Sequence, residues 1–153
     1  MVFVANVWFG SCAASNSAEE GKMGQYGDFI EGPPISEISF RASGGRSPVE
    51  EFGITVKEYS KKIIIRSFKI WRRDENSFDK ESELSKDEYQ NLWKEIEKYD
   101  VWSLENSFEA EYTDAFTYEF TFSRDKKIKK IQAYGLSEPK LEQIIRFLNQ
   151  LAS

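Results

Sequence analysis

The chain contains no histidine, and Cys12 is its single cysteine. Without histidine the commonest neutral-pH general base and the commonest zinc ligand are both missing, so Ser-His-Asp, Cys-His and histidine-metal sites are excluded together. Catalysis would have to rest on carboxylates, lysine or tyrosine. One cysteine cannot close an internal disulfide. No apolar run reaches the roughly 18 residues that a spanning helix needs, so no transmembrane segment is expected.

Positive charge is also in deficit: 21 Lys and Arg stand against 26 Asp and Glu, a net charge of −5. Nucleic-acid affinity comes from cations that displace counterions, and an acidic chain begins with that contribution against it. No nucleic-acid partner is expected. What the chain does have is the composition of a folded domain, 40% apolar and 15% aromatic, above what a disordered chain carries. Its 153 residues suit one domain and a tail.

Residues 1–34 form the tail. They hold no sustained hydrophobic period and carry Gly21, Gly24, Gly27, Gly32, Pro33 and Pro34, as a leader or linker does. Within them VFVANVWFGSC is an apolar stretch with small residues before Cys12, similar to a bacterial lipoprotein signal, and the polar residues after it resemble a tether. Cys12 is therefore the candidate lipidation site and lipid anchor, which would place the protein in the cell envelope or outside the cell. The alternative is an irregular cytoplasmic N-terminus.

Residues 35–153 read as a single α+β domain. Ile38 and Phe40 alternate with polar residues, and Phe52, Ile54 and Val56 do so again after a glycine loop, which predicts two strands. KKIIIRSFKIWRR continues as a third strand whose alternation breaks near Arg66 and Ser67, the mark of a bulge. The charged stretch from Arg72 to Ser85 reads as an exposed loop. Its cluster of Asp74, Glu75, Asp79, Glu81 and Glu83 lacks the glycine and ligand spacing of a calcium loop, so no metal site is expected there.

Ser85 and Glu88 stand at capping-box spacing, and Tyr89, Leu92, Trp93, Ile96 and Tyr99 recur on one helical face, which predicts the first helix. AFTYEFTFS is a clean strand, with Phe116, Tyr118, Phe120 and Phe122 facing a core and Thr117, Glu119, Thr121 and Ser123 facing water. A turn at RDKK leads to a fifth strand with Ile128, Ile131 and Ala133. The cations about this turn, Arg124, Lys126, Lys127, Lys129 and Lys130, read as a solvated hairpin. Ser137 caps a second helix with Pro139 in its first turn and Leu141, Ile144, Ile145, Leu148 and Leu151 on its buried stripe.

The expected architecture is two-layer, an antiparallel sheet of about five strands with two helices on one face, in the order βββαββα. No βαβ pattern or glycine-rich phosphate loop appears, so no cofactor is expected.

The functional question centres on Ser43, Gly44 and Gly45, followed by Arg46, Ser47 and Pro48. Glycine supplies the positive φ of a tight turn, and it also strips side chains from a backbone that a partner can approach closely. Both readings stand on the residues alone. ISFRASGG, YDVWSLEN, DAFTYEFTF and EPKLEQIIRFLNQL together resemble the emfourin family, small bacterial proteins whose characterised member inhibits thermolysin-like zinc metalloproteases. The likeness covers about residues 35 to 152, and its most specific motifs are the strand ending in Ser43, Gly44 and Gly45 and the pair Asp114 and Tyr118. Where that family usually continues with an aromatic and small residues, this chain has Arg46, Ser47 and Pro48.

The resemblance implies a noncatalytic binding protein, a thermolysin-like protease as its protein partner, and a binding surface at Ser43, Gly44, Gly45, Asp114 and Tyr118, to which Arg46 and Ser47 are added as the next residues of the same loop. Two alternatives remain: an envelope lipoprotein that binds an unrelated protein, and a hydrolase using two of Glu109, Glu111, Asp114 and Glu119.

Overall fold

The computed structural model describes residues 32–73, 76–111 and 114–153. Cys12 and nearly all of the leader, like the acidic residues Asp74 and Glu75, lie outside the described residues. The elements in chain order are β1 (Ser36–Gly44), β2 (Val49–Glu58), β3 (Ile63–Trp71), β4 (Phe78–Leu84), α1 (Lys86–Lys98), β5 (Ser107–Glu109), β6 (Phe116–Arg124), β7 (Lys127–Tyr134) and α2 (Pro139–Leu151). The fold is α+β, with one sheet in the order β4-β3-β2-β1-β6-β7-β5.

Alternation sets the two faces of that sheet. Ile38 and Phe40 of β1 pair with Val56 and Ile54 of β2 on one side and with Phe122 and Phe120 of β6 on the other, so one face is apolar across the sheet's centre. The helices cover that face. Tyr89, Leu92, Trp93 and Ile96 of α1 and Leu141, Ile144 and Leu148 of α2 join the same buried cluster as those strand residues. The opposite face carries Glu37, Arg41, Glu119 and Lys130 in register positions between the buried ones, with Phe68 beside Gly53 among them.

Helix α1 begins as its sequence predicts. The Ser85 hydroxyl accepts from the Glu88 N–H at 3.3 Å while the Glu88 carboxylate accepts from the Ser85 N–H at 2.9 Å, a reciprocal capping box. Helix α2 is capped one residue later than expected. Glu138, not Ser137, is its N-cap and accepts from the Lys140 N–H at 3.2 Å, with Pro139 in the first turn.

Three strand expectations are corrected. The sheet is mixed and larger than five antiparallel strands, because β5 runs parallel to β7 and the stretch expected as a loop contains β4. β4 pairs along β3 from Ile63↔Leu84 to Lys69↔Phe78, and its charged sequence FDKESEL is that of an edge strand whose outer side must resist further pairing. The irregularity expected near Arg66 and Ser67 lies instead on β2, where the pairing shifts between Val49 and Glu51. Finally, Ile128 does not share the face of Ile131: it opposes Ser123 on the polar face and is 68% exposed.

Candidate functional site

β1 and β2 are joined by Gly45, Arg46, Ser47 and Pro48 at one end of the sheet. Gly44 and Gly45 take φ of +90° and +72°, values at which an L side chain is strained, so the turn requires both glycines. The next residues are fixed by local bonds. The Ser47 hydroxyl accepts from the Val49 N–H at 3.1 Å, closing a small side-chain turn.

The loop is also held from outside. Arg72, just past the end of β3, donates from Nη2 to the Gly45 carbonyl at 2.9 Å and from Nε to the Ser47 carbonyl at 3.1 Å. Its own N–H reaches the Pro48 carbonyl at 2.9 Å. From the other side Asp114, at φ +63°, brings its carbonyl so close that a Cβ on Gly45 would stand 3.0 Å from it. The Asp114 carboxylate pairs with Arg46 Nε at 3.2 Å. Both of those side chains are well exposed, so the pair contributes about 0–1 kcal/mol and can exchange partners readily.

The structure therefore gathers Ser43, Gly44, Gly45, Arg46, Ser47 and Asp114 at one end of the sheet. Gly44 is paired with Phe116 of β6, which is how the strand pairing delivers Asp114 to the loop. Tyr118 lies one step further in, opposite Ala42 on the helix-covered face, whereas Ser43 points to the polar face. Tyr118 meets the Phe52 ring at 6.3 Å between centroids, and burial, with Glu142 nearby, raises its phenol above the ordinary range.

Two depressions flank the loop, and sequence reasoning missed both. On the helix side a groove of about 400 Å³ is lined by Val49, Phe52, Phe78 and Phe116, with Lys69 and Asn149 at its margin. Phe52 and Phe116 pack edge to face there at 5.3 Å, and Phe78 is half exposed. Next to it a depression of about 500 Å³ is lined by Arg46, Arg72 and Arg73 with Trp71. No carboxylate lines it among the described residues. Ser47 borders both, and Lys69 links them, its ammonium lying 4.6 Å from the centroid of the Trp71 ring. The one signal in the sequence was the run Trp71-Arg72-Arg73 at the end of a strand.

Of the carboxylates considered for hydrolysis, strand pairing separates Glu109 from Glu119. Glu109 lies on the short β5, while Glu119 lies on β6 beyond the intervening β7 and two pairs further along. Asp114 belongs to the loop contact. Of the cations at the β6–β7 turn, Arg124 pairs with Glu97 at 2.8 Å and lies over the Trp93 ring, and Lys129 donates to the Leu104 carbonyl. Lys126, Lys127 and Lys130 are exposed. Among the described residues no helix is long and apolar enough to cross a membrane.

Residues 75–152 match the family described as Domain of unknown function (DUF6438), half of the chain, and the chain belongs to that family. The matched region runs from just before β4 through α2, so it includes Asp114 and Tyr118 and leaves out the glycine loop. No curated protein matches the chain.

Proposed function

We propose that this member of the DUF6438 family is a noncatalytic binding protein whose glycine loop meets a protein partner, with a thermolysin-like zinc metalloprotease as the partner class. The observation that carries this reading is the bracing of residues 45–48 by the hydrogen bonds of Arg72 to the carbonyls of Gly45, Ser47 and Pro48. A loop that enters a protease cleft must present its backbone already ordered, because each side chain or loop ordered on binding reduces affinity. Two glycines at the tip let a partner approach that backbone closely. The emfourin-like resemblance supplies the partner class. A lipid on Cys12 would hold the domain at the envelope, where secreted proteases pass.

Thermolysin hydrolysing a small peptide substrate, titrated with the intact protein, tests this reading. Activity is expected to fall at micromolar protein, and Ser47→Ala is expected to weaken the inhibition with little change in melting temperature. A protease unaffected at that concentration would remove the inhibitor reading. Cell fractionation of wild type and Cys12→Ala tests the anchor, with membrane association expected only for wild type.

A further inference from the structure

We infer that the two depressions about the loop act as one peptide-docking surface, whose occupant is an extended segment carrying carboxylates beside an aromatic or branched aliphatic side chain. The inference rests on the reading of this chain as a binding protein and names the chemistry of its partner.

Charge complementarity sets the first half of that chemistry. In a chain of net charge −5, three arginines, Arg46, Arg72 and Arg73, line one depression at the end of the sheet. Arg72 directs two donors to loop carbonyls, which fix its position and, being neutral, do not cancel its charge. Among the described residues Arg46 is held by the exposed pair with Asp114, and a partner's carboxylate can take that place at little cost. Arginine suits the task, since its planar fork binds carboxylates in bidentate fashion.

The groove sets the other half. Phe52, Phe116 and Phe78 leave aromatic surface uncovered where the helices end, beside Val49. An apolar side chain placed there would remove both its own surface and that of the rings from water. Because Ser47 borders both depressions, and Lys69 of the groove lies against Trp71 of the other, one extended strand of peptide can set an apolar residue in the groove and a carboxylate on the arginines. Such aromatic and arginine anchors are the residues that dominate binding energy at interfaces.

The test uses the intact protein on an array of random immobilised peptides of about twelve residues, long enough at roughly 40 Å extended to cross both depressions. Bound peptides are expected to be enriched in Asp or Glu within a few residues of Phe, Leu or Ile. Arg46→Glu with Arg73→Glu should weaken the best peptide, resynthesised with a fluorescent label, by about tenfold or more, the loss expected for one charge-assisted contact. Phe78→Ser should weaken it independently. None of these three side chains is buried, so melting temperatures should stay close to wild type and report that the fold is intact. Binders without acidic enrichment, binding indifferent to the charge reversal, or no binder at all would overturn the proposal. Thermolysin assayed alongside separates the two readings. Peptide binding without protease inhibition removes the inhibitor reading alone, and inhibition that survives the charge reversal removes the docking surface alone.

Discussion

The ring of Phe68 lies over Gly53, its register partner on the polar face of the sheet: a Cβ built on Gly53 would stand 3.0 Å from that ring and 2.5 Å from the Phe40 carbonyl oxygen. The aromatic ring covers the backbone that the glycine leaves bare, a recognised compensation for glycine in strands. The tighter of the two contacts is with backbone. A ring can rotate away, but the Phe40 carbonyl belongs to the central strand and can move only if β1 and β2 part.

Gly53→Ala is therefore expected to destabilise the domain by about 1–3 kcal/mol, the usual cost of overpacking. Adding Phe68→Ala should recover little of that loss. Urea unfolding of the single and double variants decides it, and full recovery in the double variant would show that the ring, not the carbonyl, is the obstacle.

Arg72→Ala should loosen the glycine loop without unfolding the sheet. Its guanidinium makes two exposed hydrogen bonds to the loop, each worth about 0.5–1.5 kcal/mol, so the expected cost is modest. Amide hydrogen exchange should rise at residues 45–49 while β6 stays protected. Arg72→Lys should restore only part of the protection, because an ammonium cannot hold two carbonyls in a planar fork.

What could be read from the sequence was what depends on near neighbours. The capping box at Ser85 and Glu88 lies within one turn, and the alternation along β6 follows from the strand's own period. β4 was hidden because an edge strand is charged like a loop, and β5 because three residues carry no period. The same holds for the site. Gly44 and Gly45 announce a turn, but the Arg72 brace joins residues 27 apart and the groove between Phe52, Phe78 and Phe116 exists only once five strands are in register. The resemblance pointed to Asp114, and strand pairing explains why it meets the loop.

Phe120 and Thr121 are adjacent on β6 and should respond very differently to truncation. Phe120 is 1% exposed, between Phe40 of β1 and Ile131 of β7 beneath the helices, whereas Thr121 faces the polar side. Phe120→Ala is expected to cost about 3–5 kcal/mol and Thr121→Ala well under 1. Chemical denaturation of both variants would show the assigned faces to be reversed if the losses were equal.

Stability should be flat through neutral pH and fall at both extremes, for different reasons. With no histidine, no side chain of that type titrates near pH 6–7. Hydrogen bonds from Arg66 hold the Asp79 carboxyl below its ordinary range, and those from Ser85 do the same for Glu88. On acidification the unfolded chain therefore takes up these protons first, so the contribution is complete above the ordinary carboxylate range, about pH 4, and is lost as pH falls through the depressed folded values. Tyr89 behaves oppositely. Burial raises its phenol above the ordinary value, against the hydrogen bond it shares with Ser36. Above about pH 10 the unfolded chain releases this proton while the folded chain keeps it, and stability falls as pH climbs toward the raised folded value. Unfolding free energies measured from pH 3 to 11 should show that Glu88→Gln flattens the acid limb and Tyr89→Phe the alkaline limb. An alkaline limb unchanged in Tyr89→Phe would move the effect to Tyr118, the other tyrosine among the described residues whose phenol burial raises.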